Sequence, residues 1–387
     1  MEKSAQPGFN PRLESLRGIA ALGVLATHCF GAFRVDGLTA YWAVPFALQP
    51  AGAKVLTVLG SLLNPDGAVV LFFILSGYVL SLSFLRSKAI LSRQLGPYLV
   101  RRLLRLLPAM WFSILFMAIL RHLLSNSVPI SAQTFFFYAT FHRWIDLSAI
   151  LRNCVLVDFH VNPITWTMYV EVIGSLFIPL MIVIAQKGWH IGFGFLLILA
   201  LAAWWTHAGA FDARNYLFCF QAGVLLACHP GLTQKPQIAQ WSQALFMTGW
   251  ILIFIQRMAS IDRLPGTLLL AVGASMLLAA VLGAPSVATF RWLDQRPIRL
   301  LGRVSYSLYL LHLAVMYVLA QAFVSLGILP KSGGIVPMLL LTICTAGFTT
   351  SLAWLSYTAI ELPFIRLGRA LGSERGTAAS IGGRDRS

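Results

Sequence analysis

The chain has 387 residues, of which 58% are hydrophobic and only 11% are charged, and its net charge is +16. Soluble domains carry about 25% charged residues, so this composition excludes an ordinary soluble domain and indicates an integral membrane protein. A strongly basic chain could bind nucleic acid, but the distribution of its charge indicates the membrane surface instead.

Ten apolar segments are long enough to cross about 30 Å of hydrocarbon as helices. They predict an all-α polytopic membrane protein with about ten transmembrane helices. A shorter apolar segment near residues 132–142 predicts an interfacial or re-entrant element. It lies in a long outer loop, about residues 123–163, which contains His142 and His160 and could form a lid over an outward-facing cavity. The predicted spans are residues 17–34, 67–86, 103–122, 164–186, 189–206, 212–229, 241–257, 265–284, 303–326 and 335–361.

The positions of lysine and arginine predict the orientation of these spans. With both termini in the cytoplasm, 20 of the 29 basic residues lie on the cytoplasmic side, in agreement with the positive-inside rule. Attraction to the anionic headgroups of the lipid bilayer accounts for part of the net charge. No nucleic-acid partner is therefore expected.

Three parts of the chain are predicted. Residues 1–16 are expected to form a cytoplasmic segment, and residues 17–365 a single transmembrane domain. Pro363 is expected to end the last helix, because proline lacks the N–H that a helix interior needs. Residues 366–387 are rich in Gly, Ser and Arg and are expected to form a disordered cytoplasmic tail.

The first predicted span contains two ionisable residues, Arg17 and His28. Eleven residues make about three helical turns, so both side chains lie on one face, about 16 Å apart along the axis. If Arg17 lies at the cytoplasmic surface, His28 lies near the middle of the bilayer. An ionisable group at that depth indicates function, although a histidine satisfied by a helix contact is the alternative.

Glu171 lies near the outer end of the fourth predicted span, in W-T-M-Y-V-E. Its depth is within about 6 Å of the depth of His28, if both spans are regular helices. A carboxylate at this level could hold the His28 ring in one tautomer and raise its basicity. The alternative is a structural ion pair that joins two helices.

Three arginines open the third predicted span, in V-R-R-L-L-R-L-L-P. Arg102 and Arg105 are three residues apart and are therefore neighbours on one helix face. Two planar guanidinium groups suit a polyphosphate ligand. Ordinary anchoring of a span at the cytoplasmic surface explains the same cluster without a ligand.

The ninth predicted span begins R-V-S-Y-S-L-Y-L-L-H. Tyr306 and Tyr309 share a face, as do Tyr309 and His312, because each pair is three residues apart. His312 lies about 13 Å above Arg303 along the helix, close to the predicted level of His28. Contact of Tyr306, Tyr309 and His312 with substrate is one explanation, and a polar helix contact is the other.

Several common motifs are missing from the sequence. It contains no P-loop, no dinucleotide-binding glycine motif and no H-E-x-x-H. The five cysteines form no C-x-x-C and lie mostly in apolar segments, so neither disulfides nor a metal site are expected. Ser76 and Gly77 have no base partner in sequence and are interpreted as residues of close helix packing.

Six segments, taken together and in order, resemble the acyltransferase 3 family of membrane acyltransferases. Each segment alone is a weak match, but together they cover nearly the whole chain. They are R-L-E-S-L-R-G-I-A-A-L-G-V-L-A-T-H, F-F-I-L-S-G-Y-V-L, R-R-L-L-R-L-L-P, W-T-M-Y-V-E, S-Y-S-L-Y-L-L-H and I-E-L-P-F.

The resemblance implies transfer of an acyl group, usually acetyl, from cytoplasmic acyl-CoA to a hydroxyl of an extracytoplasmic carbohydrate. Lipopolysaccharide, exopolysaccharide and capsule are common acceptors, and a bacterial inner membrane fits this arrangement. The residues that it marks are Arg17, His28 and Glu171 for catalysis, with Arg102 and Arg105 for binding acetyl-CoA.

These residues give a mechanistic hypothesis. His28 would act as the general base for attack of the acceptor on the thioester, with Glu171 orienting its ring. Arg17 or Tyr306 would stabilise the oxyanion. A covalent intermediate on His28 is the open variant.

The alternative function is a proton-coupled transporter or flippase that moves a glycan or lipid without acyl chemistry. In that case His28, Glu171 and His312 would relay protons within the membrane. No internal repeat of the kind that many transporters show is visible in the sequence. A structural or receptor protein is a third possibility, for which the outer loops are short.

Overall fold

The computed structural model describes residues 10–35, 44, 46–86, 91–124, 126–206, 209, 211–261, 263–284, 288–331 and 333–381. These residues form fifteen α-helices and, apart from one bridged pair, no β structure. The helices are α1 Pro11–Phe30, α2 Ala51–Leu62, α3 Pro65–Leu85, α4 Leu91–Leu123, α5 Phe135–Phe141, α6 Leu147–Cys154, α7 Trp166–Gln186, α8 Trp189–Thr206, α9 Leu217–Cys228, α10 Pro236–Gln240, α11 Ser242–Met258, α12 Arg263–Gly283, α13 Arg296–Ser325, α14 Ile335–Ser356 and α15 Leu362–Ile381.

Each of the ten predicted spans coincides with a helix, so the all-α membrane fold is confirmed. The number of spans stays a prediction, because α1 is polar in its first turns while α9 has 12 residues and α11 has 17. The cytoplasmic location of the termini also stays a prediction. In the described part of the chain, seven helical stretches are long and apolar enough to cross a membrane: Ala51–Leu85, Arg93–Leu123, Pro163–Gln186, Trp189–Thr206, Leu264–Gly283, Arg296–Ser325 and Ile335–Leu371.

The C-terminal end of the last span differs from the prediction. A π-helical turn, Tyr357–Glu361, leads into α15, which passes through Pro363. The wider turn accommodates the proline ring, which would clash with a carbonyl of a regular α-helix. The helix α15 extends to Ile381. The predicted disorder of residues 366–387 stays a prediction. Residues 1–9 and 382–387 of the predicted terminal segments lie outside the described residues.

The N-terminus of α1 is capped and anchored. The Asn10 side chain accepts a hydrogen bond from the Arg12 N–H at 3.0 Å, and Pro11 occupies the first helical position. The Arg12 guanidinium forms an ion pair with Asp294 just before α13, with Nη2 and Oδ2 2.7 Å apart. This ion pair joins the beginnings of α1 and α13.

Two glycines bring α1 and α13 together. A Cβ atom on Gly18 would lie 2.5 Å from the Gly302 nitrogen, so the two backbones touch at this point. Ten residues further along each helix, His28 and His312 are also in contact. The equal spacing means that the helices run in the same direction and in register.

Glycines also allow close packing of α3 against α9. A Cβ atom on Gly77 would lie 2.1 Å from the Phe220 carbonyl oxygen, and one on Gly223 would lie 2.0 Å from the Ile74 carbonyl oxygen. Only hydrogen fits at either position. The interpretation of Gly77 as a packing residue is therefore confirmed.

The segment between α4 and α7 is tied to the end of α1. Phe33 and Gln133 form an antiparallel bridge, and the Arg34 N–H donates to the Ala132 carbonyl at 2.8 Å. These bonds hold α5 against the end of α1. The apolar element predicted near 132–142 is therefore a helix of seven residues, which is too short to cross a membrane.

Candidate active site

A cavity lies where α1, α3, α4, α7 and α13 meet, and its empty space of about 500 Å³ includes a part that is open to solvent. Six of the eight predicted site residues line it; the exceptions are His28 and His312. The lining residues are Arg17, Phe72, Phe73, Arg102, Arg105, Leu106, Thr167, Met168, Glu171, Ser305, Tyr306 and Tyr309. The cavity is therefore rich in both arginine and aromatic side chains.

Arg102 and Glu171 form a buried ion pair in the cavity wall. Arg102 donates through Nη2 to Glu171 and through Nε to Ser175 Oγ, the latter at 2.9 Å. The other oxygen of Glu171 accepts a hydrogen bond from Ser76 Oγ at 2.7 Å. Both charged side chains are only 8% exposed, so each depends on the other to offset the cost of its burial.

This ion pair bears on the predicted roles of Glu171 and Arg102, and both roles stay predictions. In the described part of the chain, Glu171 makes no contact with His28, because Arg102 and Ser76 occupy its oxygens. Arg102 is paired with Glu171, which offsets part of the positive charge that a phosphate in the cavity would meet. The structural ion pair was one of the two alternatives for Glu171, and it agrees with these contacts.

Arg17 and Arg105 face the same cavity, and no carboxylate of the described residues lies in direct ion-pair contact with either of them. Arg17 is half-buried and Arg105 is exposed, so a ligand can reach both guanidinium groups. Two cations on one cavity attract an anion, and their planar donors match phosphate oxygens. Arg17 and Arg105 are thus the cavity arginines without an ion pair among the described residues, whereas the sequence indicated Arg102 with Arg105, and phosphate binding by any of the three stays a prediction.

His28 and His312 form a hydrogen-bonded pair. His28 Nδ1 lies 2.7 Å from His312 Nε2, the ring centroids are 5.0 Å apart and the ring planes differ by 7°. The distance between the ring centroids is longer than the Nδ1···Nε2 distance by about the sum of the two ring radii, so both nitrogens lie on the line that joins the centroids. The rings are therefore coplanar and edge to edge, which is the best geometry for an N–H···N bond.

Tyr309 connects the histidine pair to the cavity. Its backbone carbonyl lies 2.6 Å from His312 Nδ1, while its ring lines the cavity and its hydroxyl accepts a hydrogen bond from Thr167 at 3.3 Å. Tyr306 also lines the cavity, and its hydroxyl donates to the Leu106 carbonyl at 2.6 Å. The predicted tyrosines therefore lie on the cavity wall, and His312 lies behind them.

The segment between α4 and α7 covers His28 on the side away from His312. The Phe136 ring in α5 lies nearly parallel to the His28 ring, with centroids 5.1 Å apart. This contact follows from the attachment of the segment to the end of α1. α5 therefore packs directly on His28, and a lid function of this segment stays a prediction.

Further out in the same segment, Asp158 and His160 form an exposed hydrogen-bonded pair. Partial burial raises the pKa of Asp158, but hydrogen bonds from His160 and from the backbone N–H of Phe159 lower it more. The net pKa of Asp158 lies below its usual value. Asp158 is thus a carboxylate at neutral pH, and it neighbours Arg152 at 3.7 Å.

A sequence model of the acyltransferase 3 family, described as an acyltransferase domain, matches residues 10–358, nearly the whole chain. The chain belongs to the acyltransferase 3 family. Together with its apolar helices, this membership makes the protein an integral membrane acyltransferase, and it confirms the resemblance seen in the sequence. Neither the curated proteins nor the solved structures gave a significant match.

All eight predicted site residues of this acyltransferase lie within the matched region, but some of their partners were not predicted. Ser175 accepts a hydrogen bond from Arg102 and follows Glu171 by four residues, a spacing that places Ser175 on the helix face of Glu171 and could have indicated that both contact Arg102. Phe136 gave no such signal, because its contact with His28 depends on how a distant segment folds back.

Proposed function

We propose that this acyltransferase moves an acyl group, preferentially acetyl, from cytoplasmic acetyl-CoA to a hydroxyl of an extracytoplasmic glycan such as lipopolysaccharide, exopolysaccharide or capsule. One observation carries the proposal. A cavity holds Arg17 and Arg105, which form no ion pair among the described residues, and half-buried His28 lies about 16 Å from Arg17 along α1. The cavity suits the phosphates of a donor, and the histidine suits a reacting hydroxyl. A bacterial inner membrane fits a donor and an acceptor on opposite sides.

The donor would bind with its phosphates at Arg17 and Arg105, through charge-assisted hydrogen bonds. Because Arg17 and His28 are eleven residues apart in α1, they are separated by about 16 Å along the helix. An extended pantetheine arm covers a comparable distance, so the thioester would reach His28. At that distance Arg17 is too far from the thioester carbonyl to stabilise an oxyanion, and we assign it to donor binding.

The chemical step would use His28 as a general base. The acceptor oxygen attacks the thioester carbonyl carbon while its proton moves to His28. The tetrahedral intermediate then breaks its C–S bond, and the CoA thiolate leaves and takes the proton back from His28. In the covalent variant His28 itself attacks and carries the acyl group, which ping-pong kinetics would reveal.

The acceptor would approach from the side of the outer segment. α5 covers His28 through Phe136 and is held by a few bonds to the end of α1. A displacement of this short helix would open His28 to a sugar hydroxyl. The donor and the acceptor would then meet at His28 from opposite directions, with no need for the bulky part of either to cross the membrane.

The test is release of free CoA thiol from acetyl-CoA by the purified protein in lipid nanodiscs, with an envelope glycan fraction as acceptor. We expect release and glycan acetylation by the wild type and loss of both in His28→Ala. His122→Ala is the matched control, because His122 is exposed at the end of α4 and outside the cavity.

Two results would contradict the proposal. Activity of His28→Ala near the wild-type level would remove His28 from the mechanism. Absence of CoA release with acetyl-CoA, succinyl-CoA and longer acyl-CoA donors, each with the glycan fraction, would exclude acyl-CoA as the donor.

A further inference from the structure

The hydrogen bond between His312 and Tyr309 determines where the protons of the histidine pair lie. His312 Nδ1 lies 2.6 Å from the Tyr309 carbonyl oxygen. A carbonyl oxygen can only accept, so His312 Nδ1 must carry the hydrogen. The Tyr309 carbonyl therefore fixes the first N–H hydrogen of the pair at His312 Nδ1.

The charge of His312 determines which nitrogen carries the second hydrogen of the pair. Its side chain is fully buried, with 0% exposure, and no carboxylate contacts it in the described part of the chain. A buried cation without a counter-ion is costly, so His312 is neutral and carries a single N–H. Its Nε2 is then a bare acceptor, and the 2.7 Å contact requires His28 Nδ1 to donate.

We propose that His312 is a positioning residue which holds His28 in the Nδ1–H tautomer and leaves His28 Nε2 as the proton-accepting atom. The inference deepens the proposed function, since it rests on His28 being the base. It assigns a role to His312 that differs from the substrate contact expected from the sequence. His312 is completely buried behind Tyr309, whereas His28 is only half-buried.

The arrangement also has a consequence for the charged form of His28. When Nε2 takes the acceptor proton, the imidazolium keeps its Nδ1–H bond to His312 Nε2. That bond becomes charge-assisted and therefore stronger. His312 stabilises the positive charge without accepting the proton, and the proton remains at Nε2 for transfer to the leaving thiolate.

Two polar variants separate the two hydrogen bonds of His312. The amide of His312→Gln reaches the place of the ring Nε2 and can accept from His28. The amide of His312→Asn reaches only the place of Nδ1, so it can bond to the Tyr309 carbonyl but not to His28. The variants have similar polarity, and thermal unfolding in nanodiscs compares their stability.

The first measurement is nitrogen NMR of histidine-labelled protein in nanodiscs, with the His28 signals identified by their loss in His28→Gln. We expect the Nδ1–H tautomer of His28 in the wild type and in His312→Gln, and a mixture with the Nε2–H tautomer in His312→Asn. An Nε2–H tautomer of His28 in the wild-type protein would overturn the proposal, even if neither variant folds.

The second measurement is kinetic. We expect His312→Asn to lower kcat about 100-fold, the scale of a misplaced general base, with less than about a twofold change in KM for acetyl-CoA, while His312→Gln stays within about tenfold of the wild type. Equal kcat values for the two variants would contradict the proposal. If the wild-type protein transferred no acyl group, the proposed function would be refuted. The NMR result would still determine which nitrogen of His28 carries the hydrogen.

Discussion

At the scale of residues, the pair Arg102–Glu171 shows how a charged cavity wall is stabilised. Removing two charges from water costs several kcal/mol per ion, and their attraction offsets this only with good geometry and further hydrogen bonds. Ser76 and Ser175 provide those bonds. The pair therefore fixes α4 against α7 and leaves the other cavity arginines to a ligand.

Breaking this pair should destabilise the protein. We expect Glu171→Gln to lower the free energy of unfolding by about 3–5 kcal/mol, because Arg102 is left buried without a partner. The double variant Arg102→Met/Glu171→Leu should recover most of that loss, because both charges are gone. Denaturation in mixed micelles measures both, and additive losses in the double variant would show that the two residues do not act as a pair.

Arg105 should bind the donor, while its neighbour Arg101 should not. Losing one charge-assisted contact to phosphate should raise the Kd for CoA about tenfold or more in Arg105→Gln. Arg101→Gln is the matched control, because Arg101 is exposed and lies outside the cavity. Calorimetric titration with CoA measures both values. An equal change of the Kd for CoA in the two variants would contradict a specific donor contact of Arg105 and would leave it the role of anchoring the helix at the membrane surface.

The residue types of the site could be predicted from sequence, but their pairing could not. Helical rise gives the depth of a side chain, and it placed Glu171, His28 and His312 near one level. Depth does not say which helices adjoin or which way each face points. Glu171 was therefore matched to His28, although it bonds to Arg102 while His28 bonds to His312.

At the scale of elements, the contact of α1 with α13 aligns the site. Gly18 and Gly302 meet backbone to backbone, and the histidine contact lies ten residues beyond. Both helices are parallel, so a change at the glycines is carried along the pair to the histidines. The order of residues on each helix could be read from sequence, whereas the matching of Gly18 to Gly302 is a tertiary contact without a local signal.

A methyl group at this contact should separate the helices. We expect Gly18→Ala to lower the free energy of unfolding by about 1–3 kcal/mol, as overpacking does, and to reduce acyl transfer because the His28–His312 bond lengthens. Gly347→Ala is the control, since a Cβ there meets no atom within 4 Å. If Gly18→Ala left the free energy of unfolding and the rate of acyl transfer unchanged, α1 and α13 would accommodate the methyl group without changing the His28–His312 contact.

At the scale of the whole molecule, apolar length predicted the helical fold well because a bilayer demands long apolar helices. It predicted the ends of the chain less well. Pro363 was expected to stop a helix, but the π turn Tyr357–Glu361 lets it continue. A π turn depends on packing around it and has no reliable mark in a single sequence.

The orientation of the molecule can be tested with two cysteines. The charge asymmetry predicts that Ser148 is extracytoplasmic and Gln295 is cytoplasmic. In intact cells a membrane-impermeant maleimide should therefore label Ser148→Cys but not Gln295→Cys, and both after permeabilisation. The unmodified protein gives the background from its own cysteines. The reverse pattern would invert the predicted topology.

Tyr309 contributes its ring to the cavity and its carbonyl to His312. A donor that displaces the ring also acts on the residue that anchors the histidine pair. Donor affinity and alignment of His28 are then thermodynamically linked, and such linkage is reciprocal. The expected result is that bound donor and bound acceptor change each other's affinity by the same factor, a coupling that passes through one tyrosine without any domain movement.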